Sequence, residues 1–116
     1  MAYDAGLIAW AKEALEPMGT ITHRPMMGAA VLYCDGVVFA VVDEEAIYFK
    51  SDAVSAAVWD AKGCPPFTIP GSDGELMPTK YRRAPDDVYD DAGAMRHWAA
   101  LGVEAGQRAP VKRKKK

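Results

Sequence analysis

The sequence predicts an α+β domain in which one largely antiparallel sheet is flanked by helices. Segments with strand character come in runs, the longest from His23 to Lys50, instead of alternating singly with helices. Tight-turn sequences separate these strands, and apolar residues at helical spacing mark segments before and after the run. The predicted order is α-β-β-β-β-α-β-β-α over residues 1–108, followed by a basic tail at 109–116.

Residues 21–50 predict a meander of strands joined by tight turns. Asp35-Gly36 lies between two apolar runs and is typical of a type I′ hairpin, in which both central residues need positive φ. Asp43-Glu44-Glu45 marks the next reversal. Such a meander has one apolar face, which the flanking helices are expected to cover.

Three segments are predicted to be helical, and each contains one tryptophan. The first covers 3–16 and ends at Pro17 and Gly19. The second covers 52–61, with Ser51 or Asp52 as N-cap and Gly63 at its end. Its expected apolar face is Val54, Ala57, Val58 and Ala61, with Trp59 at the edge. The third begins at Asp90 or Asp91, ends near 107, and has the apolar stripe Met95, Trp98, Leu101, Gly102 and Ala105. We interpret Trp10, Trp59 and Trp98 as packing anchors, with a ligand cage as the alternative.

The segment between the second and third helices predicts two further strands. Pro66–Pro70 fits only a short strand at a sheet edge, because proline lacks the N–H donor. Residues 75–83 are extended, and alternation places Lys80 and Arg82 on one face with Tyr81 and Arg83 on the other. We interpret this segment as a solvated edge strand protected by charge. Pro85 is expected to open a short helical turn.

The charge distribution separates an acidic body from a cationic end. Residues 1–111 contain nine Lys and Arg against 16 Asp and Glu, a net charge of −7. Five basic residues follow, and they reduce the net charge of the whole chain to −2. This balance argues against a general polyanion binder in the folded body. The chain has neither a secretory signal nor an apolar run of membrane-spanning length, so a cytoplasmic location is expected.

Sequence signatures of catalysis are absent: the chain has no GxSxG, HExxH, P-loop or GxGxxG pattern. We therefore expect no catalytic residue, cofactor or metal, with a site formed by His23, Cys34 and Asp35 as a minor alternative. The acidic residues Asp86, Asp87, Asp90 and Asp91 are interpreted as helix capping, with a divalent cation site as the alternative. Cys34 and Cys64 are expected to be reduced, although a disulfide between them stays open.

Basic residues give one candidate for nucleic-acid binding. Its members are Arg82, Arg83, Lys112, Arg113, Lys114, Lys115 and Lys116. Five tail charges on phosphates would give a log–log salt dependence with a slope of about −4.5. A tail that only aids solubility is the alternative.

A set of residues in a characteristic order and spacing extends over most of the chain, and we expect these residues to serve the fold. Its members are Arg24, Pro25, Met26, Gly28, Tyr33, Asp35, Gly36, Lys50, Pro66, Phe67, Pro85 and Trp98. In order and spacing they resemble the N-terminal domain of the TfoX (Sxy) family, from about residue 5 to 107. The resemblance implies an α+β fold like that of type III secretion chaperones, a homodimer, and no catalytic residues. Full-length members are regulators of natural competence that act with a cyclic-AMP receptor protein and carry a second, helical domain.

The resemblance has one local departure and leads to a functional hypothesis. The family tends to have Phe-Gly-Gly after Arg-Pro-Met, whereas this chain has Met27-Gly28-Ala29. A stand-alone N-terminal domain is expected, since a chain ending at residue 116 has no room for the second domain. We expect a non-enzymatic regulatory or adaptor domain that contacts its own copy and a transcription component. The alternative is a nucleic-acid-associated protein that uses the tail.

Overall fold

The computed structural model describes residues 3–26 and 28–109, and it has the predicted α+β architecture. The helices are α1 (Ala5–Leu15), α2 (Ala56–Lys62) and α3 (Ala92–Arg108), with 3₁₀ turns at Glu16–Met18 and Asp86–Tyr89. The strands are β1 (Ile21–Met26), β2 (Ala29–Cys34), β3 (Val37–Val42), β4 (Ile47–Lys50), β5 (Pro66–Pro70) and β6 (Leu76–Arg83). All neighbours pair antiparallel in one sheet of order β1-β2-β3-β4-β6-β5.

The turns of the meander follow from their side chains. Asp35 and Gly36 have φ values of 50° and 84°, as a type I′ turn requires. The Asp35 carboxylate also accepts a hydrogen bond from the N–H of Thr20 at 2.9 Å, which ties the turn to the start of β1. In the next reversal the Asp43 carboxylate accepts from the N–H groups of Glu45 and Ala46. Both predicted reversals are confirmed.

The hydrophobic core lies between one face of the sheet and the three helices. Strand residues Leu32, Phe39 and Phe49 are fully buried there. Trp59 of α2 stacks on Phe49 with ring centroids 6.0 Å apart, and it contacts Trp98 of α3 at 5.1 Å. Two of the three tryptophans thus form one aromatic cluster, whereas the Trp10 indole donates to the carbonyl of Val88 at 2.8 Å.

Helix α3 packs close against the sheet because two of its glycines face β3. A Cβ atom on Gly102 would lie 2.7 Å from the carbonyl oxygen of Phe39, and one on Gly106 would collide with the carbonyl of Val38. These clashes involve backbone atoms, which cannot move without displacing β3. Gly102 was predicted to lie in the apolar stripe of α3, and the structure shows that its lack of a side chain sets the helix–sheet distance.

Helix α2 differs from the prediction in both its start and its buried face. It begins at Ala56 with Ser55 as N-cap, since residues 53–55 form a turn. Val54 and Val58 are 68% and 43% exposed, and Trp59 is the buried residue of the helix. The predicted face was therefore wrong. Trp59 is fully buried and is the largest apolar side chain of this short helix, so its burial determines how the helix is rotated.

The position of β6 also corrects the prediction. The strand pairs with β4 through Tyr81–Arg83 and with β5 through Leu76–Arg82, so it is internal and not an edge strand. The edge is formed by β5, as expected for a segment that begins and ends with proline. The predicted alternation of Tyr81 and Arg83 against Arg82 agrees with the pairing of Arg83 with Tyr48 and of Arg82 with Phe49.

An ion pair fastens the end of α3 to the turn before α2. The Arg108 guanidinium donates to both carboxylate oxygens of Asp52 at 2.8 and 2.9 Å. The same carboxylate accepts from the N–H and hydroxyl of Ser55. Hydrogen bonding from Arg108 is the largest cause that holds the pKa of Asp52 well below its usual range.

We predict that Gly102→Ala destabilises the protein although alanine is the better helix former. The added Cβ would have to push α3 away from β3, so we expect a loss of about 1–3 kcal/mol of unfolding free energy in urea denaturation. Gly93→Ala in the first turn of α3 is the control, since its Cβ would meet only the carboxylate of Asp91 at 3.3 Å. Equal stability of the two variants would contradict the packing argument.

A second prediction concerns pH. Because the folded-state pKa of Asp52 is lowered, its stabilising effect is complete above the unfolded-state value of about 3.9 and is lost as pH falls below it. Asp52→Asn is expected to lower the unfolding free energy by about 1 kcal/mol at pH 7, and this difference from the parent protein should shrink below pH 4. Glu44→Gln, at an exposed turn carboxylate, controls for net charge. A difference that stays constant down to pH 2 would refute the assignment.

Candidate interaction surface

The face of the sheet opposite the three helices carries a continuous row of paired residues across five strands. Antiparallel register places Arg24 opposite Val31, Val31 opposite Val41, Val41 opposite Tyr48 and Tyr48 opposite Arg83. Directly paired residues point to the same side of a sheet, so all five residues of this row lie on one face. Val31, Val41 and Tyr48 are buried but lie outside the core cluster. We call this side the open face.

A second row on the open face is formed by the neighbouring positions. Thr22 pairs with Tyr33, Tyr33 with Val38, and Lys50 with Tyr81. The Lys50 ammonium lies 5.3 Å from the centroid of the Tyr81 ring, within cation–π range. Burial, and after it the nearby Tyr33, raise the pKa of Tyr81. Both rows lie on the same face of the sheet, because their residues alternate along each strand with residues that face the core.

The open face is basic and aromatic although the whole chain is acidic. Its strand residues include the cations Arg24, Lys50 and Arg83 and no carboxylate among the paired positions. Its aromatic members are Tyr33, Tyr48, Phe67 and Tyr81, and the rings of Tyr48 and Phe67 are 4.5 Å apart. A groove of about 420 Å³ at the β1 edge of this face is lined by Thr22, His23, Arg24, Tyr33 and Gly36. This surface offers positive charge beside aromatic rings.

The acidic border of the open face lies at the turn between β3 and β4. The Tyr48 hydroxyl donates to the Asp43 carboxylate at 3.3 Å. Burial and then the Asp43 charge raise the pKa of Tyr48. Tyr48 is thus a neutral phenol. The row that contains Tyr33, Lys50 and Tyr81 lies farther from the Asp43 carboxylate than Tyr48 does, by two residues along β4.

The two arginines predicted to bind nucleic acid lie on opposite faces. Arg83 is on the open face and is exposed. Arg82 is on the helix side, where its guanidinium donates to Asp60 at 2.7 Å and to the carbonyl of Cys64 at 2.9 Å. The five tail residues, 112–116, lie outside the described residues. A nucleic-acid role for this set stays a prediction, and the structure does not bring Arg82 and Arg83 together.

The residues of the family pattern divide between turns, strand pairs and core. Gly28, Asp35 and Gly36 have positive φ in turns. Trp98 is in the core, and Pro85 is the buried residue before the second 3₁₀ turn. Five others lie on β1, β2, β4 or β5 at positions facing the open face or its rim: Arg24, Met26, Tyr33, Lys50 and Phe67. Pro25 and Pro66 belong to the two edge strands. Met27, where the chain departs from the family, lies outside the described residues.

The minor alternative site does not converge. His23 lies opposite Leu32 and meets Tyr3 edge-on at 6.2 Å, whereas Asp35 is bonded to Thr20. The Cys34 thiol contacts the carbonyl of Met18 at 3.7 Å. In residues 3–26 and 28–109, no group of three or more His, Cys, Asp or Glu side chains is arranged to hold a metal ion.

One residue of the acidic cluster, Asp91, caps a helix as predicted. The Asp91 carboxylate accepts from the N–H of Ala94 at 3.1 Å, as an N-cap residue does. Asp86 and Asp87 occupy the first turn of the 3₁₀ helix.

Of the helices in the described part of the chain, none is long and apolar enough to cross a membrane.

The comparison with protein families decides the assignment. The model of the TfoX N-terminal domain matches residues 13–106, which is most of the chain. The chain belongs to the TfoX N-terminal domain family. This is a regulatory type of domain and not a known enzyme family, so the chain is a competence-regulator-like domain. No curated protein matches the chain.

Sequence reasoning did not find the open face, although part of its signal was visible. Alternation shows that Tyr48 and Lys50 share a side of β4, and that Tyr81 and Arg83 share a side of β6. It does not show that β6 pairs with β4, because β5 comes first in the chain. Without that pairing the basic and aromatic residues of distant segments cannot be assigned to one surface.

We predict that both cysteines are reduced and react slowly with a thiol reagent in the native protein. Cys34 and Cys64 are buried free thiols, and burial is the largest cause that raises the pKa of each. The thiolate is the reactive form, so the rate should increase with pH between 7 and 9. Unfolding in the absence of a reducing agent should expose two thiols per chain. Finding none under these conditions would demonstrate a disulfide.

Proposed function

We propose that this TfoX N-terminal domain is a non-enzymatic regulatory adaptor that acts through protein contacts, first of all as a homodimer, and that it also contacts a transcription component. The observation that carries the proposal is the family match over residues 13–106. The acidic body and the exposed edges of the sheet support protein contacts over general binding to polyanions.

The hairpin of β5 and β6 is the surface that we assign to self-association. β4 pairs with β6 through Tyr81–Arg83, so the part of the hairpin at residues 67–79 extends beyond the end of β4. We call this part the projecting arm. Ile69 and Leu76 on it are 45% and 69% exposed. Exposed apolar side chains on an unpaired strand edge favour association with another strand.

The proposal predicts that the protein is a dimer and that charge on the projecting arm dissociates it. Leu76→Asp should raise the dimer dissociation constant by about 10-fold or more, because a carboxylate must be desolvated in the interface. Sedimentation velocity over a range of micromolar concentrations measures this equilibrium.

Val54→Asp is the matched control. Val54 is 68% exposed, as Leu76 is 69% exposed, but it precedes α2. A monomeric parent protein at high micromolar concentration would overturn the homodimer. Dissociation by Val54→Asp and not by Leu76→Asp would retain the dimer and move its interface away from the arm.

A further inference from the structure

We propose that the open face binds single-stranded nucleic acid, with phosphates at Arg24, Lys50 and Arg83 and bases stacked on Tyr33 and Tyr81. This goes beyond the proposed protein contacts, because it uses a different surface from the projecting arm. It also differs from binding by the basic tail.

The charge of the open face argues for an anionic occupant. The chain has 16 acidic and 14 basic residues, and yet the two rows of paired residues contain three cations and no carboxylate. Arg24 and Arg83 are exposed and lie at opposite ends of a row that crosses five strands. At a strand spacing of about 4.8 Å, this row is about 19 Å long. That length accommodates several nucleotides of an extended single strand.

The aromatic residues argue for nucleic acid over an acidic peptide. Tyr33 and Tyr81 are half-buried, and neither hydroxyl has a hydrogen bond to a protein atom among the described side chains. Lys50 lies over the Tyr81 ring, so charge and ring are presented together. Sheets that bind single strands use aromatic side chains of this kind as stacking platforms and basic groups for phosphate. An acidic peptide would use the cations but gain nothing comparable from the rings.

The acidic border of the open face defines the path of the bound nucleic acid. Asp43 accepts from Tyr48 at the β3–β4 turn, and Asp86 lines the same groove as Arg83. These carboxylates repel phosphate. The bound nucleic acid therefore runs from the groove at Arg24 and Tyr33 toward Lys50 and Tyr81. Of the three cations, Arg83 contributes least to its binding.

The test is fluorescence anisotropy with a labelled oligothymidine of about 12 nucleotides, a length within known single-strand site sizes. In the full-length protein used for this test, the five basic residues at 112–116 are all replaced by glutamine. The tail then cannot contribute to binding. A triple variant, Arg24→Gln, Lys50→Gln and Arg83→Gln, is expected to bind at least 10-fold more weakly. A plot of the logarithm of the binding constant against the logarithm of the salt concentration has a negative slope. Loss of three phosphate contacts should reduce the size of this slope by about 2.

The matched control removes the same charge elsewhere: Lys12→Gln, Lys80→Gln and Arg108→Gln. It is expected to change affinity by less than about 3-fold, because these residues lie on α1, the helix side of β6 and the end of α3. Tyr33→Leu should weaken binding by about 10-fold, whereas Tyr33→Phe, which keeps the ring, should stay within about 2-fold. Circular dichroism and urea unfolding verify that each variant is folded.

Four results would overturn the proposal. The tail-neutralised chain does not bind the oligonucleotide, or the two triple variants lose affinity equally. In the third, duplex DNA or poly-glutamate of equal charge competes as well as the unlabelled single strand, which would assign the face to anions in general. Sedimentation of the open-face triple variant should match that of the parent, and its dissociation would show that the face is a contact between copies.

Discussion

The distance between α3 and β3 is the constraint on which the rest of the structure depends. Backbone carbonyls of Phe39 and Val38 lie where Cβ atoms of Gly102 and Gly106 would be. This close approach brings Met95 and Trp98 down onto the sheet and lets Trp98 reach Trp59 of α2. Helix α1 is then held against α3, where the Arg96 guanidinium donates to the carbonyl of Ala14 at 3.1 Å. All three helices are thereby placed on one side of the sheet, and none of them covers the other side.

The strands of the sheet are specified at different levels of sequence information. Asp35-Gly36 and Asp43 determine the meander locally, through backbone angles and side-chain hydrogen bonds, and both reversals were predictable. The place of β6 between β4 and β5 is a long-range property, which depends on pairs such as Phe49 with Arg82. Basic residues at 80–83 resembled those of an edge strand because charge protects edges. In the folded protein Arg82 neutralises Asp60 instead.

The helices show the same division. Asp91 and the apolar stripe of α3 predicted its start and its buried face, because a helix of this length has a well-defined period. In α2 the period of small residues indicated the wrong face. Its seven residues carry one large side chain, and the burial of Trp59 outweighs the exposure of Val58. Asp52 accepts from the N–H of Ser55, three residues on, as expected of a cap, and the same carboxylate also accepts from Arg108. The second contact joins distant segments, and no local pattern reveals it.

The two exposed features of the molecule suit different kinds of partner, and their chemistry separates them. The projecting arm offers apolar side chains and main-chain groups, which are the means by which one β-sheet protein recognises another. The open face offers positive charge and aromatic rings at fixed spacing, on strands held rigidly from behind by the core. Because they lie on different parts of the sheet, one copy can use both at once. A dimer formed through the arms would then carry two open faces, and linked sites bind a continuous strand more tightly than either site alone.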